Sequence, residues 1–264
     1  VTDQFTPRHL NATALRGLPE VRPGDDLAEL IVAALGEGEP PGALRDGQIL
    51  AVAHKVVSKA EGSIVALAGI EPSPRARTLA EAQGKDPRAV QVVLDQSAEI
   101  VRAERDVLIA RTHHGFVCAN AGVDASNASE QGESDTLVLL PRDPDASARG
   151  LRARLLELTG ATVAVLITDS FGRAWRHGQC DVAIGCAGMT PLEDWRGRTD
   201  AAGLQLQATW LAVADAAAAS ADLARAKDSR EPVVLIDGLQ RFVTAEDGPG
   251  AAALLRPLEE DLFR

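Results

Sequence analysis

Two short stretches concentrate side chains suited to phosphoryl or acyl chemistry. Gly122-Val123-Asp124-Ala125-Ser126-Asn127 offers a carboxylate, a hydroxyl and an amide, and Thr168-Asp169-Ser170 sets a second carboxylate between hydroxyls. Hard oxygen donors of this kind suit Mg²⁺ or Mn²⁺ bridging to phosphate better than zinc. Asp and Asn are also common in ordinary turns, so on residue types alone the stretches fit either a metal site or two unrelated loops. Directly after Asp169, the run Phe171-Gly172-Arg173-Ala174-Trp175-Arg176-His177-Gly178-Gln179 supplies guanidinium groups and an imidazole that could clamp phosphate or carboxylate bidentately. His54-Lys55-Val56-Val57-Ser58-Lys59 adds two lysines as point charges, and Leu18-Pro19-Glu20-Val21 offers turn backbone for a base or ribose. His113-His114 lacks a third ligand at a recognisable spacing, which favours a structural or substrate-contact role.

The elements that must hold these residues can be read from periodicity and punctuation. Ile49–Ala53 is a short apolar run expected of a strand covered on both faces, with His54 and Lys55 at its end. Asp25 or Asp26 caps a helix to about Leu35, and Asp143-Pro144 opens another that ends near Gly160. The spacing from Thr78 to Arg102 suits an amphipathic helix, with Pro87 as its start or a break. Strands are expected at 107–110, 136–140, 161–167 and 233–236, an Ala-rich helix at about 208–226, and a short closing element at 254–263. A second Gly-dotted segment runs to Gly188 and sets Arg173 and Arg176 shortly after Asp169. Irregular alternation of these elements favours an α+β fold over a doubly wound sheet, in a single catalytic domain spanning 1–264.

Composition narrows the function classes. The 264 residues are 45% hydrophobic and 25% charged, the proportions of a globular chain. Lys+Arg 27 against Asp+Glu 38 gives a net charge of −11, which opposes nucleic acid and anionic membrane as partners, so an anionic ligand must be held by local charge. Aromatics at 3%, with no Tyr, leave few stacking platforms for single-stranded nucleic acid. Cys118, Cys180 and Cys186 form neither a disulfide framework nor a C-x-x-C pair, and they read as small core residues in a reducing compartment. No signal-like or membrane-spanning run appears, so a cytoplasmic location is expected. Neither G-x-G-x-x-G nor G-x-x-x-x-G-K-[ST] occurs after a strand, and a nucleotide would need a different cradle.

Taken in order, 18–27, 55–62, 114–127, 168–188 and 212–227 resemble the coenzyme F420-0:L-glutamate ligases (gamma-glutamyl ligases), including the N-terminal half of the two-domain actinobacterial version. The resemblance implies a GTP-dependent ligase that joins L-glutamate to a deazaflavin lactyl-phosphate through an acyl phosphate, with Mg²⁺ or Mn²⁺ and K⁺. It implies an intertwined homodimer of two-part α+β units. Carried onto this sequence, nucleotide contacts fall on Leu18, Pro19, Glu20, Val21, His54, Lys59 and Asn127, and metal ligands on Asp124, Asp169, Ser170 and Gln205. Arg173 and Arg176 are expected to line the anionic site beside catalytic Asp124 and Asp169. The sequence departs from the family pattern at His54, where Ser is expected, and at His113, Trp210, Ala216 and Asp237. These departures leave two other readings open: a paralogous amide ligase with another acceptor or amino acid, and a non-catalytic deazaflavin-binding or dimerisation domain. The chain ends where the two-domain version continues, so it is read either as a stand-alone enzyme or as one half of a larger protein.

Overall fold

A computed structural model describes residues 9–37, 43–125 and 135–261. Ser126 and Asn127 lie outside the described residues. In chain order, β1 (Asn11–Ala14) leads to α1 (Leu27–Glu37), β2 (Ile49–Ala53), α2 (His54–Ala60) and β3 (Ile64–Ala66). Next come α3 (Pro74–Gln83), α4 (Pro87–Asp95), β4 (Ser97–Glu104), β5 (Val107–Thr112), β6 (Val117–Ala119), β7 (Asp124–Ala125) and β8 (Thr136–Val138). Then follow α5 (Pro144–Thr159), β9 (Ala164–Arg173), β10 (Arg176–Ala187), β11 (Leu192–Asp194), β12 (Trp210–Ala212), α6 (Val213–Ala224) and β13 (Val233–Asp237).

The main sheet runs β1-β13-β2-β9-β10; β2 and β9 are parallel and the other neighbours antiparallel. Strand alternation divides its core between two faces. Leu50, Val52, Val165 and Ile167 pack with Ile31 of α1 and Leu155 of α5, while Ile49, Ala51, Ala164 and Leu166 pack with Val213, Ala217 and Ala221 of α6. Burial on both faces explains why β2 and the first half of β9 are continuously apolar. A separate core, including Val90, Val93, Leu108, Ala110 and Leu137, unites α3 and α4 with the sheets β4-β5-β6 and β3-β8-β7. The architecture is therefore mixed α+β, as expected.

Several boundaries differ from the sequence reading. The span 78–102 is two helices and a strand rather than one helix: Gly84, at φ 62°, ends α3, Pro87 opens α4, and 97–104 pairs with β5. Side-chain caps fix the helix starts, since Ser73 Oγ accepts from the Ala76 N–H at 3.2 Å and Asp86 Oδ1 from the Arg88 N–H at 2.7 Å. The boundaries of α5 agree closely with expectation, with Asp143 as N-cap, Pro144 at the first turn and Gly160 at φ 73° after its end. The polar residues after β2 form α2, and α6 begins at Val213 because 210–212 pairs as a strand. The Gly-dotted segment from Asp169 to Gly188 lies in a long antiparallel hairpin of β9 and β10 whose turn falls at 174–175.

Candidate functional site

Because β2 and β9 run parallel, their carboxyl ends reach the same sheet edge, the usual position of ligand sites in such sheets. Ala53 pairs with Thr168, so the next residues, His54 and Asp169, emerge side by side. The third partner arrives from the smaller sheet, where Asp124 in β7 pairs with Val138 in β8. The chain enters β7 through a turn in which Asn120, Ala121 and Gly122 have φ of 51°, 53° and 70°. Such a left-handed run is costly for residues other than glycine and tends to occur where a side chain must be aimed.

The three side chains converge: ligand atoms of His54, Asp124 and Asp169 all lie within 4.8 Å of one another. His54 Nε2 is 3.4 Å from Asp169 Oδ1 and 3.7 Å from Asp124 Oδ2. The His54 side chain is only 3% exposed, and its Nε2 has no hydrogen-bond partner. On the opposite side of the ring, Nδ1 lies 3.5 Å from Ser58 Oγ, one turn along α2. Burial alone pushes the imidazole pKa down, but the two carboxylates outweigh it and raise it to about 9. Burial likewise pushes Asp124 upward, yet the His54 imidazole and the Lys55 ammonium, 3.0 Å from Asp124 Oδ2, hold that carboxyl below its usual range. Nε2 is thus held between two carboxylates at ion-pair distance without a well-formed hydrogen bond to either. Two carboxylate groups and an imidazole nitrogen form a donor set that fits a divalent cation.

The cluster opens into a cleft of about 740 Å³, within the range of small-molecule sites. Leu18, Pro19, Glu20 and Val21 line one wall, where Lys59 pairs with Glu20. Asp124, Asp169 and Ser170 line the floor, so most of the residues expected to contact nucleotide or metal face this cavity. His54, expected as a nucleotide contact, also lines the cleft and points Nε2 at the carboxylates.

Three residues depart from expectation. Arg173 and Arg176 do not line the described cleft, because β9 continues as an extended strand and carries Arg173 about 13 Å past Asp169 at roughly 3.3 Å per residue. There the Arg173 guanidinium donates to the His177 carbonyl at 2.8 Å. Gln205 is exposed on the segment between β11 and β12, bridged to Thr199, and likewise does not line the cleft.

A polar network missed by sequence reading closes the far wall. Asp181, 2% exposed, pairs with Arg225 and accepts from Thr168 Oγ1 at 2.9 Å and from Ser170 Oγ at 2.6 Å. Lys227 Nζ donates to Ser170 Oγ at 2.9 Å and to Asp222 Oδ1 at 2.6 Å. Burial would raise the Asp181 carboxyl, but the Ser170 hydroxyl and the Arg225 charge hold it low. An aspartate at the head of the apolar run Val182–Ala187 was the available signal, because a charge there needs a partner.

The adjacent histidines do not line the cleft. His113 Nε2 contacts the Asp95 carbonyl at 3.0 Å, and His114 Nε2 contacts the Pro141 carbonyl at 3.0 Å. Burial and the nearby Asp169 charge push the Cys118 thiol up to about 12, so it is a poor nucleophile although it lines the cleft.

A family model described as F420-0:gamma-glutamyl ligase matches residues 17–238, a span that carries the whole cleft floor and the network behind it. The chain belongs to the F420-0:gamma-glutamyl ligase family. Within that family it is 44% identical over 256 residues to the coenzyme F420:L-glutamate ligase of Methanothermobacter thermautotrophicus, covering 97% of this chain and 99% of that protein. It is 47% identical over 247 residues to the protein of the same name from Methanopyrus kandleri, covering 93% and 94%. The corresponding Archaeoglobus fulgidus protein is 41% identical over 251 residues, covering 95% and 94%. Among the described residues no helix is long and apolar enough to cross a membrane.

Proposed function

We propose that this protein is a GTP-dependent ligase that adds L-glutamate to coenzyme F420-0 through a gamma-glutamyl-type amide bond, working with Mg²⁺ or Mn²⁺ and K⁺ as a cytoplasmic homodimer. The observation that carries this reading is the convergence of Asp124 and Asp169 at the floor of a cleft rimmed by cations, in a chain that matches the family along most of its length. A carboxylate is a poor electrophile for an amine. The reading solves this in two steps: an acceptor carboxylate oxygen attacks the γ-phosphorus of GTP and GDP leaves, then the glutamate amine attacks the acyl carbon, the C–N bond forms and phosphate leaves.

Each wall of the cleft has a part in that sequence. Lys55, Lys59 and Lys227 present ammonium groups suited to phosphate oxygens, which offsets the net charge of −11 locally. The backbone of Leu18 to Val21 offers a surface for the guanosine portion. Asp124 and Asp169, with Ser170 beside them, would hold the divalent ion, which when bound supplies neutralisation of charge on the transferring phosphoryl group. Asp181 and Arg225 keep Ser170 in one orientation through the hydrogen bond from its hydroxyl. Homodimer formation is consistent with the exposed apolar side chains Trp175, Leu204 and Trp210 on the β9–β10 turn and on 195–212.

A mass spectrum of the products after incubation with coenzyme F420-0, L-glutamate, GTP and Mn²⁺ tests the proposal. Species heavier by one or more glutamyl residues, absent when any component is omitted, are expected. An unchanged acceptor would contradict it.

A further inference from the structure

Resting on the metal-dependent reading above, we infer that His54 Nε2 is itself a ligand of the divalent ion, making the site one of imidazole nitrogen plus two carboxylates that favours transition-metal ions over Mg²⁺. Three observations carry this. The Nε2 atom is buried, forms no well-made hydrogen bond, and has as its nearest polar neighbours, at 3.4 and 3.7 Å, the carboxylate oxygens it would share an ion with. Its position is set by the backbone, because the Ala53–Thr168 pairing places residue 54 beside Asp169. The other ring nitrogen is directed at Ser58 Oγ, an outer contact of the kind that orients a ligating imidazole.

The chemical consequence follows from ligand hardness. An all-oxygen site serves Mg²⁺ well, and an imidazole nitrogen adds little for that strongly hydrated ion. First-row transition ions gain from nitrogen, and more so along the series from Mn²⁺ to Co²⁺ and Zn²⁺. Exchanging His54 for an oxygen-bearing side chain should therefore weaken transition-ion binding while affecting Mg²⁺ much less. The competing account is that His54 acts as a fixed cation between the carboxylates, occupying the place of an ion.

Electron spin echo measurements on the whole protein loaded with Mn²⁺ separate the two accounts without relying on turnover. Nitrogen modulation from a directly bound imidazole is expected in the native protein and should vanish in His54→Ser and His54→Gln. Titration of the same proteins should show Mn²⁺ and Co²⁺ affinity falling by roughly tenfold or more, the scale seen when even outer partners of a metal site are lost, with Mg²⁺ affinity changed less. Bound Mn²⁺ without nitrogen modulation in the native protein, or variants that bind Mn²⁺ as tightly or more tightly, would overturn the inference while leaving the metal-dependent ligase reading in place. If native protein binds no Mn²⁺, or if Asp124→Asn and Asp169→Asn leave binding unchanged, both fail together.

Discussion

Asp124 and Asp169 reach the cleft from different sheets, so in the proposed site neither could substitute for the other in holding the ion. Asp124→Ala and Asp169→Ala should each lower turnover by about a thousandfold or more, because several kcal/mol of charge stabilisation corresponds to about one decade per 1.4 kcal/mol. Thermal melts should remain cooperative in both variants, and full activity in either would remove that residue from the site. Asp181 differs, since its partner Arg225 is itself 9% exposed. Asp181→Asn takes the carboxylate from a guanidinium that keeps only the Pro232 carbonyl and Thr168 Oγ1 as acceptors outside residue 181, a change that costs about 3–5 kcal/mol, or roughly 6 °C or more in Tm for a chain of this size. The sign of its pH dependence follows from a folded-state pKa held below the usual value. The stabilisation is present above the unfolded value of about 3.9 and is lost as pH falls through the depressed folded value. Acid titration of Tm should therefore show a shallower acid limb in Asp181→Asn than in the native protein; parallel limbs would show that Asp181 makes no such contribution.

The site depends on close approaches that only glycine permits. Gly122 has φ 70°, and a Cβ there would lie 2.7 Å from Leu140 Cγ. Gly122→Ala should cost about 1–3 kcal/mol through crowding and strain, and it should reduce turnover beyond what the Tm change explains, because Asp124 lies two residues on. A control sits away from the cleft: at Gly185, in the irregular part of β10, a Cβ would overlap the Pro144 carbonyl and lie 2.8 Å from its Cβ. Gly185→Ala should lower Tm and leave residual activity per folded molecule nearly native; equal activity losses in the two variants would break the link between the Gly122 turn and Asp124. Much of this layer was legible in the sequence. Ile49–Ala53 was readable because both faces are buried, and α5 because its cap, proline and terminal glycine are local signals. The span 97–102 was misread because Ile100 and Val101 continue a helical spacing by chance, and what makes it a strand is pairing with β5. Gly172 and Gly178 carry no strand signal, and it is cross-strand pairing that extends the hairpin through that region.

At the scale of the whole molecule, the acids of the site were visible in the sequence while their convergence was not. Asp124 and Asp169 stand out by residue type, but the third member depends on the parallel register between β2 and β9, which no local pattern encodes. The Asp181–Arg225 pair is likewise a contact between residues 44 positions apart. Dimer formation is expected to give a sedimentation mass near twice the chain mass of 27.7 kDa, and a monomeric mass at micromolar concentration would rule it out. The most direct test of the ligase account is GDP formation measured with each reactant withheld in turn. The account predicts sustained GDP release, equal in amount to the amide formed, only when acceptor and L-glutamate are both present, with no more than one equivalent per site when L-glutamate alone is withheld. GTP consumption that ignores either reactant, or glutamate joined without GDP appearing, would contradict it.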